Sequence, residues 1–342
     1  MHNKPDIEKW FMMKGWLQDM AKVVTLDADK IKGFTFDLEE QIFSRQGIEF
    51  ISKSCQTPEE VADACEDADV ILTVLSKLPK EIIEQTKNCK AIMCYGIGYD
   101  QVDIMAAGKK GIPVCNVPHY CSEEVAVHTM ALLLGCLRKV GYYNDAVKGG
   151  IWNSGEGYFI SRTTTMTLGL MGFGSIARNV AAYAKPFGFR IIVSDPYLDK
   201  NTLPNGIELV EFDQLLAESD ILSLHAPLTD STRHALNKET LKKVKDGVIV
   251  LNTSRGPLIH EMDLVDALRS GKVKAAGLDV LESEPLRDKE HPLCKMEQVI
   301  LTPHAGHVSL QATHELHQTV ADNAVALLSG EKPKYIVNEK FL

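Results

Sequence analysis

The strongest constraint on the fold lies in Thr167–Asp195, TLGLMGFGSIARNVAAYAKPFGFRIIVSD, which begins near the middle of a 342-residue chain. An apolar run, Thr167–Met171, breaks into Gly172-x-Gly174-x-x-Ala177. A helical segment follows, and the β-rich run Arg190–Ser194 ends on Asp195. Gly172 permits a tight turn, Gly174 lets the backbone approach a ligand closely, and small Ala177 lets helix and strand pack. The start of the helix offers unpaired N–H groups and the positive end of its dipole to an anion. Asp195, 23 residues after Gly172, is spaced to accept hydrogen bonds from ribose hydroxyls and would repel a 2′-phosphate. Strand, glycine turn, helix, strand and acid together form the pattern of a dinucleotide site, with NAD favoured over NADP.

The length suggests about two domains. Hydrophobic content of 45% and charged content of 24% are those of an ordinary globular protein. A net charge of −9 argues against nucleic acid or an anionic membrane as partner. The longest apolar run, Met130–Leu137, is too short to span a bilayer. The N-terminus mixes Asp6, Glu8, Trp10 and Lys14 without a hydrophobic signal core, so secretion is not expected. Eight cysteines (55, 65, 89, 94, 115, 121, 136 and 294) show no CxxC spacing, and several lie in apolar runs. They read as reduced thiols of a cytoplasmic protein.

Before the glycine motif, short β-type runs at Val23–Leu26, Gly47–Ile51, Val70–Val74, Ala91–Tyr95 and Ile112–Cys115 alternate with helical patterns such as Glu59–Glu66 and Lys80–Lys87. That alternation predicts a parallel α/β layer of its own. A long helical stretch, Ser122–Lys148, follows Pro118, with Ser122 as the expected N-cap and Glu123–Glu124 in the first turn. After the motif come strands at Ile221–His225, Val248–Asn252, Ala275–Asp279 and Val299–Thr302, then a helix over about Ser309–Ser329 and a tail, Pro333–Val337. Too little chain remains for a third layer. The nucleotide domain is therefore expected as an insertion: 1–116 and 305–342 form a substrate domain, and 117–304 the nucleotide domain. Both are expected to be doubly wound parallel sheets, the first flavodoxin-like and the second a Rossmann domain, with a small-molecule site in the cleft between them. Residues 1–21, rich in Trp, Phe and Met, read as a helical leader that packs on the first domain or on a partner subunit.

Three segments fall at the ends of the later strands, where open α/β sheets place their sites. They are Leu251–Pro257 with Arg255, Gly277–Pro285 with Asp279, Glu282 and Glu284, and Leu301–His307 with Pro303, His304 and His307. Hydride transfer to a 2-oxo acid builds negative charge on the carbonyl oxygen and needs a proton donor working near neutral pH, which histidine supplies. A carboxylate on the other ring nitrogen favours imidazolium. A guanidinium grips a carboxylate with two parallel hydrogen bonds.

These segments, with SDPYL, SLHAPL and ILTPHA, resemble the blocks of the D-isomer-specific 2-hydroxyacid dehydrogenase family from about Ala91 to Ala312. The wording ESEP, DPYL and Tyr120-Cys-Ser-Glu-Glu-Val-Ala is most similar to its branch related to the C-terminal-binding protein corepressors and phosphoglycerate dehydrogenase-like enzymes. The resemblance implies Arg255 as the substrate-binding arginine, Glu284 rather than Glu282 as the catalytic acid, and His304 as the proton donor. It further implies that Gly172, Gly174, Ser175, Ile176 and Asp195 bind the cofactor. His225, Ala226, Pro227, Thr232, Thr253, Ser254, Arg255, Asp279, His304 and Gly306 complete that set. Tyr95, Gly96, Ile97 and Gly98, with Arg255 and His307, are implied for the substrate. Glycines at 96 and 98 let backbone N–H groups approach an anion.

The match has departures. Cys94 stands where the corepressor branch carries an arginine, His307 where it has a tryptophan, and Val127 where many members have an acid. No control domain follows Leu342, so the longer phosphoglycerate dehydrogenases are not a full match. His304-x-x-His307 and His314-x-x-His317 have spacing that suits a metal, yet no carboxylate or cysteine is arranged with them, and no metal is expected. Lys242–Lys245 reads as a solvated face. The reading is a cytoplasmic, homodimeric NAD-dependent D-2-hydroxyacid dehydrogenase or 2-oxo acid reductase. Within the family a glyoxylate, hydroxypyruvate or phosphoglycerate-type reductase is open, and outside it an NAD(H)-sensing corepressor-like binding protein.

Overall fold

The computed structural model describes residues 20–155 and 160–342. Most of the expected leader, residues 1–19, lies outside the described residues. The chain divides into two compact units, 1–120 with 310–342, and 121–309.

The first unit is a five-stranded parallel sheet of β1 (Lys22–Thr25), β2 (Glu49–Ser52), β3 (Val70–Thr73), β4 (Ala91–Cys94) and β5 (Val114–Cys115), in the order 2-1-3-4-5. Strands β3 and β4, VILT and AIMC, are buried throughout, as a sheet covered on both faces requires. Helices α1 (Asp37–Arg45), α2 (Pro58–Cys65), α3 (Lys80–Gln85) and α4 (Ile104–Lys109) connect them. Helix α2 is fixed at its start by a capping box between Thr57 and Glu60, which satisfies two otherwise orphaned N–H groups.

The second unit opens with α5 (Ser122–Arg138) and α6 (Val140–Lys148). Here the expected single helix is broken: Lys139 takes a left-handed backbone, φ 54°. The apolar pattern explains the break, because α5 buries residues as far as Leu137 while α6 buries none. Ser122 is the first helical residue rather than the N-cap; Cys121 holds that position. The hydroxyl of Ser122 instead donates to Ser175 Oγ at 3.2 Å.

A seven-stranded parallel sheet follows, made of β6 (Thr167–Met171), β7 (Arg190–Ser194), β8 (Ile207–Leu209), β9 (Ile221–Leu224), β10 (Val248–Asn252), β11 (Val273–Leu278) and β12 (Val299–Leu301). Its order is 12-11-10-9-6-7-8. Strand β8, IEL, is an edge strand with no fully buried residue, too short and polar to stand out in the sequence. Helix α7 (Ser175–Ala184) buries Ala177, Val180, Ala181 and Ala184; α8 (Phe212–Glu218), α9 (Lys238–Lys243) and α10 (Glu261–Arg269) follow, and two apolar clusters complete the core of the unit. Strand order reverses between β6 and β9, the switch point at which doubly wound sheets bind ligands.

The last helix, α11 (Leu310–Leu328), packs against α1 and β4 of the first unit. The tail follows it: Asn338 accepts from the Val114 N–H at 2.8 Å and donates to Ile112 O at 2.9 Å. Boundaries at 120/121 and 309/310 stand a few residues beyond the expected 116/117 and 304/305, for local reasons. The Val117 N–H donates to Gly96 O at 2.9 Å, which keeps residues 117–120 on the first sheet. Ala305 and Gly306 donate to Asp279, and Ser309 to Glu124, which keeps 305–309 with the second.

No described helix is long and apolar enough to cross a membrane. All eight cysteines are free, and only Cys294 is exposed. Burial pushes the thiols of Cys89, Cys115 and Cys136 up to about 12 and those of Cys65 and Cys94 higher still. Since the thiolate is the reactive form, a disulfide reagent at pH 8 should label Cys294 quickly and the other cysteines only after unfolding. A second fast thiol in the native protein would contradict this packing.

Candidate active site

The glycine turn sits at the switch point. Gly172 has φ +87°, and a Cβ there would lie 2.9 Å from Ala226 N and from the His225 carbonyl. Only glycine fits both the backbone and the space. A Cβ on Gly174 would meet nothing within 4 Å, and Gly174 is the N-cap of α7. Open room therefore stands directly before the first amides of a ten-residue helix, those of Ser175 and Ile176, as a bound pyrophosphate requires. Asp195 directly follows β7, half-buried, its carboxylate accepting the N–H groups of Phe173 and Tyr197, each at 2.9 Å. Those bonds fix its orientation and leave lone pairs for ribose hydroxyls. The donor set, the room and the acid all fit NAD.

The loops after the next strands are tied by hydroxyls. Ser254 Oγ donates to Ala226 O at 2.7 Å, and Thr232 Oγ1 to Pro227 O at 2.7 Å. Thr253 Oγ1 lies 2.8 Å from Thr129 Oγ1 on α5. His225 is bonded to Ser223 Oγ at 2.9 Å, and burial pushes its imidazole down to about 4. It is neutral near pH 7, so it places no charge beside the cofactor turn.

Glu284 and His304 form a pair. His304 Nδ1 is 2.8 Å from Glu284 Oε2, and Glu284 Oε1 accepts the Leu281 N–H at 2.9 Å. Burial pushes the Glu284 carboxyl up, yet the hydrogen bond and charge of His304, the Leu281 N–H and the charge of Arg255 together hold it below the usual range. It is a carboxylate at neutral pH, oriented to stabilise an imidazolium. Glu282 is occupied elsewhere: Oε1 is 2.6 Å from His234 Nε2, and Oε2 accepts the Glu261 N–H at 3.0 Å. Of the two glutamates, Glu284 is the one that meets the histidine. Arg255, half-buried after β10, donates from Nη1 to Ser254 O at 2.8 Å.

Asp279 holds the loop that carries His304. Its carboxylate, 3% exposed, accepts from Thr302 Oγ1 at 2.6 Å and from the N–H groups of Ala305 and Gly306 at 2.9 Å. The backbone carbonyl of Asp279 accepts the His304 N–H at 2.8 Å. Burial pushes this carboxyl up, but those bonds and the nearby His128 outweigh it. Because the Thr302 hydroxyl proton goes to Asp279, its oxygen accepts from His128 Nε2 at 2.9 Å. Gly306 is needed for the approach, since a Cβ there would lie 2.9 Å from Asp279 Oδ2. His304 itself sits at φ 55°, a left-handed conformation unusual for a non-glycine residue. The ring of His307 stands 5.9 Å from that of His304, almost perpendicular. Burial first and the His304 charge second push the His307 imidazole down, which keeps it neutral.

In the first unit, Tyr95 precedes the turn Gly96–Gly98. Its side chain points into the core, where its hydroxyl donates to Glu39 Oε1 at 2.7 Å. Gly96 has φ +136°. The carbonyls of Gly96 and Ile97 accept from Val117 N and Asn116 Nδ2. The amides of Ile97 and Gly98 donate to no carbonyl of the described backbone. Cys94 is fully buried and Val127 exposed.

Sequence reasoning missed His128, Thr129, Thr302 and Gly256. Thr302 adjoins the histidine segment. His128 and Thr129 lie on a helix some 150 residues upstream, with no spacing that ties them to the loops they hold.

Residues 130–306 match the family described as D-isomer specific 2-hydroxyacid dehydrogenase, NAD binding domain. A hydroxypyruvate reductase of Blautia hydrogenotrophica is 35% identical over 323 residues, which is 93% of this chain and 100% of that protein. A glyoxylate reductase from Paecilomyes thermophila has a solved structure with a TM-score of 0.84 and 30% identity, over 94% of this chain and 99% of that one. The Aquifex aeolicus D-lactate dehydrogenase, solved with NAD and lactic acid, gives a TM-score of 0.84 at 25% identity, over 93% and 99%.

Gly256 tests how tightly the acid loop is held, because a Cβ there would lie 1.9 Å from the carbonyl group of Leu281. Gly256→Ala should displace Leu281–Glu284, lowering stability in urea titration by about 1–3 kcal/mol and abolishing turnover. An active variant of unchanged stability would refute this packing.

Proposed function

This chain belongs to the D-isomer specific 2-hydroxyacid dehydrogenase family, and on that premise we propose that His304, Glu284 and Arg255 carry the reduction of a small 2-oxo acid. It is an NAD-dependent oxidoreductase of 2-hydroxy acids. The observation that carries the assignment of roles is the 2.8 Å contact between His304 Nδ1 and Glu284 Oε2.

NADH held at the Gly172–Ile176 turn would supply the hydride that reaches C2 of the substrate. The negative charge that then develops on the carbonyl oxygen calls for a proton from His304 Nε2, the ring nitrogen opposite Glu284. Glu284 orients the ring and stabilises its cationic form. Arg255 pairs with a substrate carboxylate through its planar fork; in the first unit, the Ile97 and Gly98 amides are proposed donors to a carboxylate. Asp279 and Thr302 hold the loop of His304. Gly172, Gly174, Ser175, Ile176 and Asp195 hold the pyrophosphate and ribose, and the loops at 225–227, 232 and 253–254 the rest of the cofactor. Residues 1–120 with 310–342 are assigned as the substrate domain. Glyoxylate and hydroxypyruvate are the first acids to try, since relatives named for them cover most of both chains. Eight free cysteines support a cytoplasmic protein.

NADH oxidation with glyoxylate, hydroxypyruvate and pyruvate tests this. His304→Ala should lower kcat by about 10²- to 10⁴-fold with NADH affinity unchanged. Glu284→Gln should lower kcat with NADH affinity unchanged, because the ring then loses the carboxylate that orients it. Tight NADH binding without turnover of any of these acids would overturn the reading.

A homodimer is also proposed. Helix α6 buries none of its residues, and Val140, Val147, Ile151 and Trp152 are exposed, Trp152 by 90%. Such a row of large apolar side chains suits a second copy of the chain. Light scattering after size exclusion should give twice the chain mass for the wild type and the single mass for Trp152→Asp. A monomeric wild type would refute it.

A further inference from the structure

A buried polar cluster in the first unit plays no part in the chemistry above. Glu39 on α1 is fully buried. Its Oε1 accepts the Tyr95 hydroxyl at 2.7 Å and lies 2.5 Å from Nδ1 of His317 on α11. Its Oε2 is buried and has no hydrogen-bond partner among the described residues. Aromatic rings close the cluster: Phe34 and Phe36 stand edge-on to Tyr95, each at 5.6 Å, and Phe34 lies 4.4 Å from His317. Three elements, 56 and 278 residues apart in sequence, thus converge on one carboxylate oxygen.

A buried carboxylate is a poor way to gain stability, because apolar side chains of similar volume commonly hold a core as well or better. What such a group does supply is a directional, fixed contact, strengthened by the low local dielectric. Its one tyrosine partner immediately precedes Gly96. Burial and the Glu39 charge raise the Tyr95 phenol well above its ordinary range, so it remains a donor. The next two carbonyls are already held, by Val117 and Asn116. At the other end the Tyr95 N–H donates to Thr73 O at 2.9 Å, and the side-chain bond to Glu39 is the second tie on that residue.

We propose that Glu39 is a positioning residue for the Gly96–Gly98 turn, acting through the Tyr95 hydroxyl so that the Ile97 and Gly98 amides are set for a carboxylate. This rests on the reading of that turn as a substrate-carboxylate site. The feature recognised is common to every 2-oxo acid, so loosening the turn weakens all substrates equally, whatever their side chain.

The test uses Tyr95→Phe, which deletes one oxygen and keeps the ring, alongside Glu39→Ala and Glu39→Gln in the full-length protein. Tyr95→Phe and Glu39→Ala should raise KM for glyoxylate and hydroxypyruvate by the same factor, about tenfold for one charge-assisted hydrogen bond. NADH affinity should be unchanged and kcat altered far less than KM. Glu39→Gln, which keeps an acceptor for Tyr95, should recover most of the KM. Hydrogen exchange of the segment 96–99 should quicken in Tyr95→Phe, with the second unit unaffected. A lowered melting temperature with wild-type KM would mean a purely structural cluster and overturn the proposal, as would KM changes that differ between the two acids. Should the wild type reduce neither acid, the proposed function fails first, and the exchange rates alone then decide whether Glu39 fixes the turn.

Discussion

The site of the second unit depends on one buried carboxylate. Asp279 gathers the Thr302 hydroxyl and the amides of Ala305 and Gly306 onto two oxygens, and its own carbonyl takes the His304 amide. A charge removed from water is costly unless it is fully hydrogen-bonded, and here the compensation comes from backbone that must bend to supply it. The left-handed conformation of His304 is part of that bend. The loop is held as a shell of donors around an anion, and the imidazole leaves it in one direction, toward Glu284.

Around this centre the unit relies on close approach rather than on further charges. Gly172, Gly256 and Gly306 each sit where a methyl group would strike backbone or a carboxylate. Interiors are packed as densely as organic crystals, so these contacts leave the cofactor turn, the arginine loop and the acid loop little freedom. Hydroxyl groups of Ser254, Thr232 and Thr253 brace what the glycines bring together. The proposed ligand-facing side chains would thus be supported by neighbours, which is how a site keeps its geometry.

The first unit applies the same principle to a different loop. Asp27, 2% exposed, accepts the amides of Val74, Leu75 and Ser76 after β3. Glu39 accepts from Tyr95 beyond β4. In each case a buried acid accepts hydrogen bonds from residues just after the carboxyl end of a parallel strand, the end at which parallel sheets bind ligands. Both units thus hold turns after their strands through buried carboxylates.

Much of this was legible in the chain alone. Parallel strands buried on both faces read as apolar runs, so Thr167–Met171, Arg190–Ser194 and Val248–Asn252 were placed to the residue. The glycine spacing marked the turn between β6 and α7, where Gly172 takes φ +87°. Covalent spacing within one turn or one strand sets those features, and sequence records it directly. The short edge strand Ile207–Leu209, the break at Lys139 and the partners of Asp279 and Glu39 were not legible. Each depends on which surfaces meet after folding: where the buried face of a helix ends, and which distant helix brings His128 or His317 to a carboxylate. The sequence by itself determined the kind of fold and the kind of chemistry, because local pattern and residue type carry both. Only the tertiary structure decided which side chains hold the reacting groups still, because hydrogen bonds between residues far apart in the chain leave no periodic trace in it.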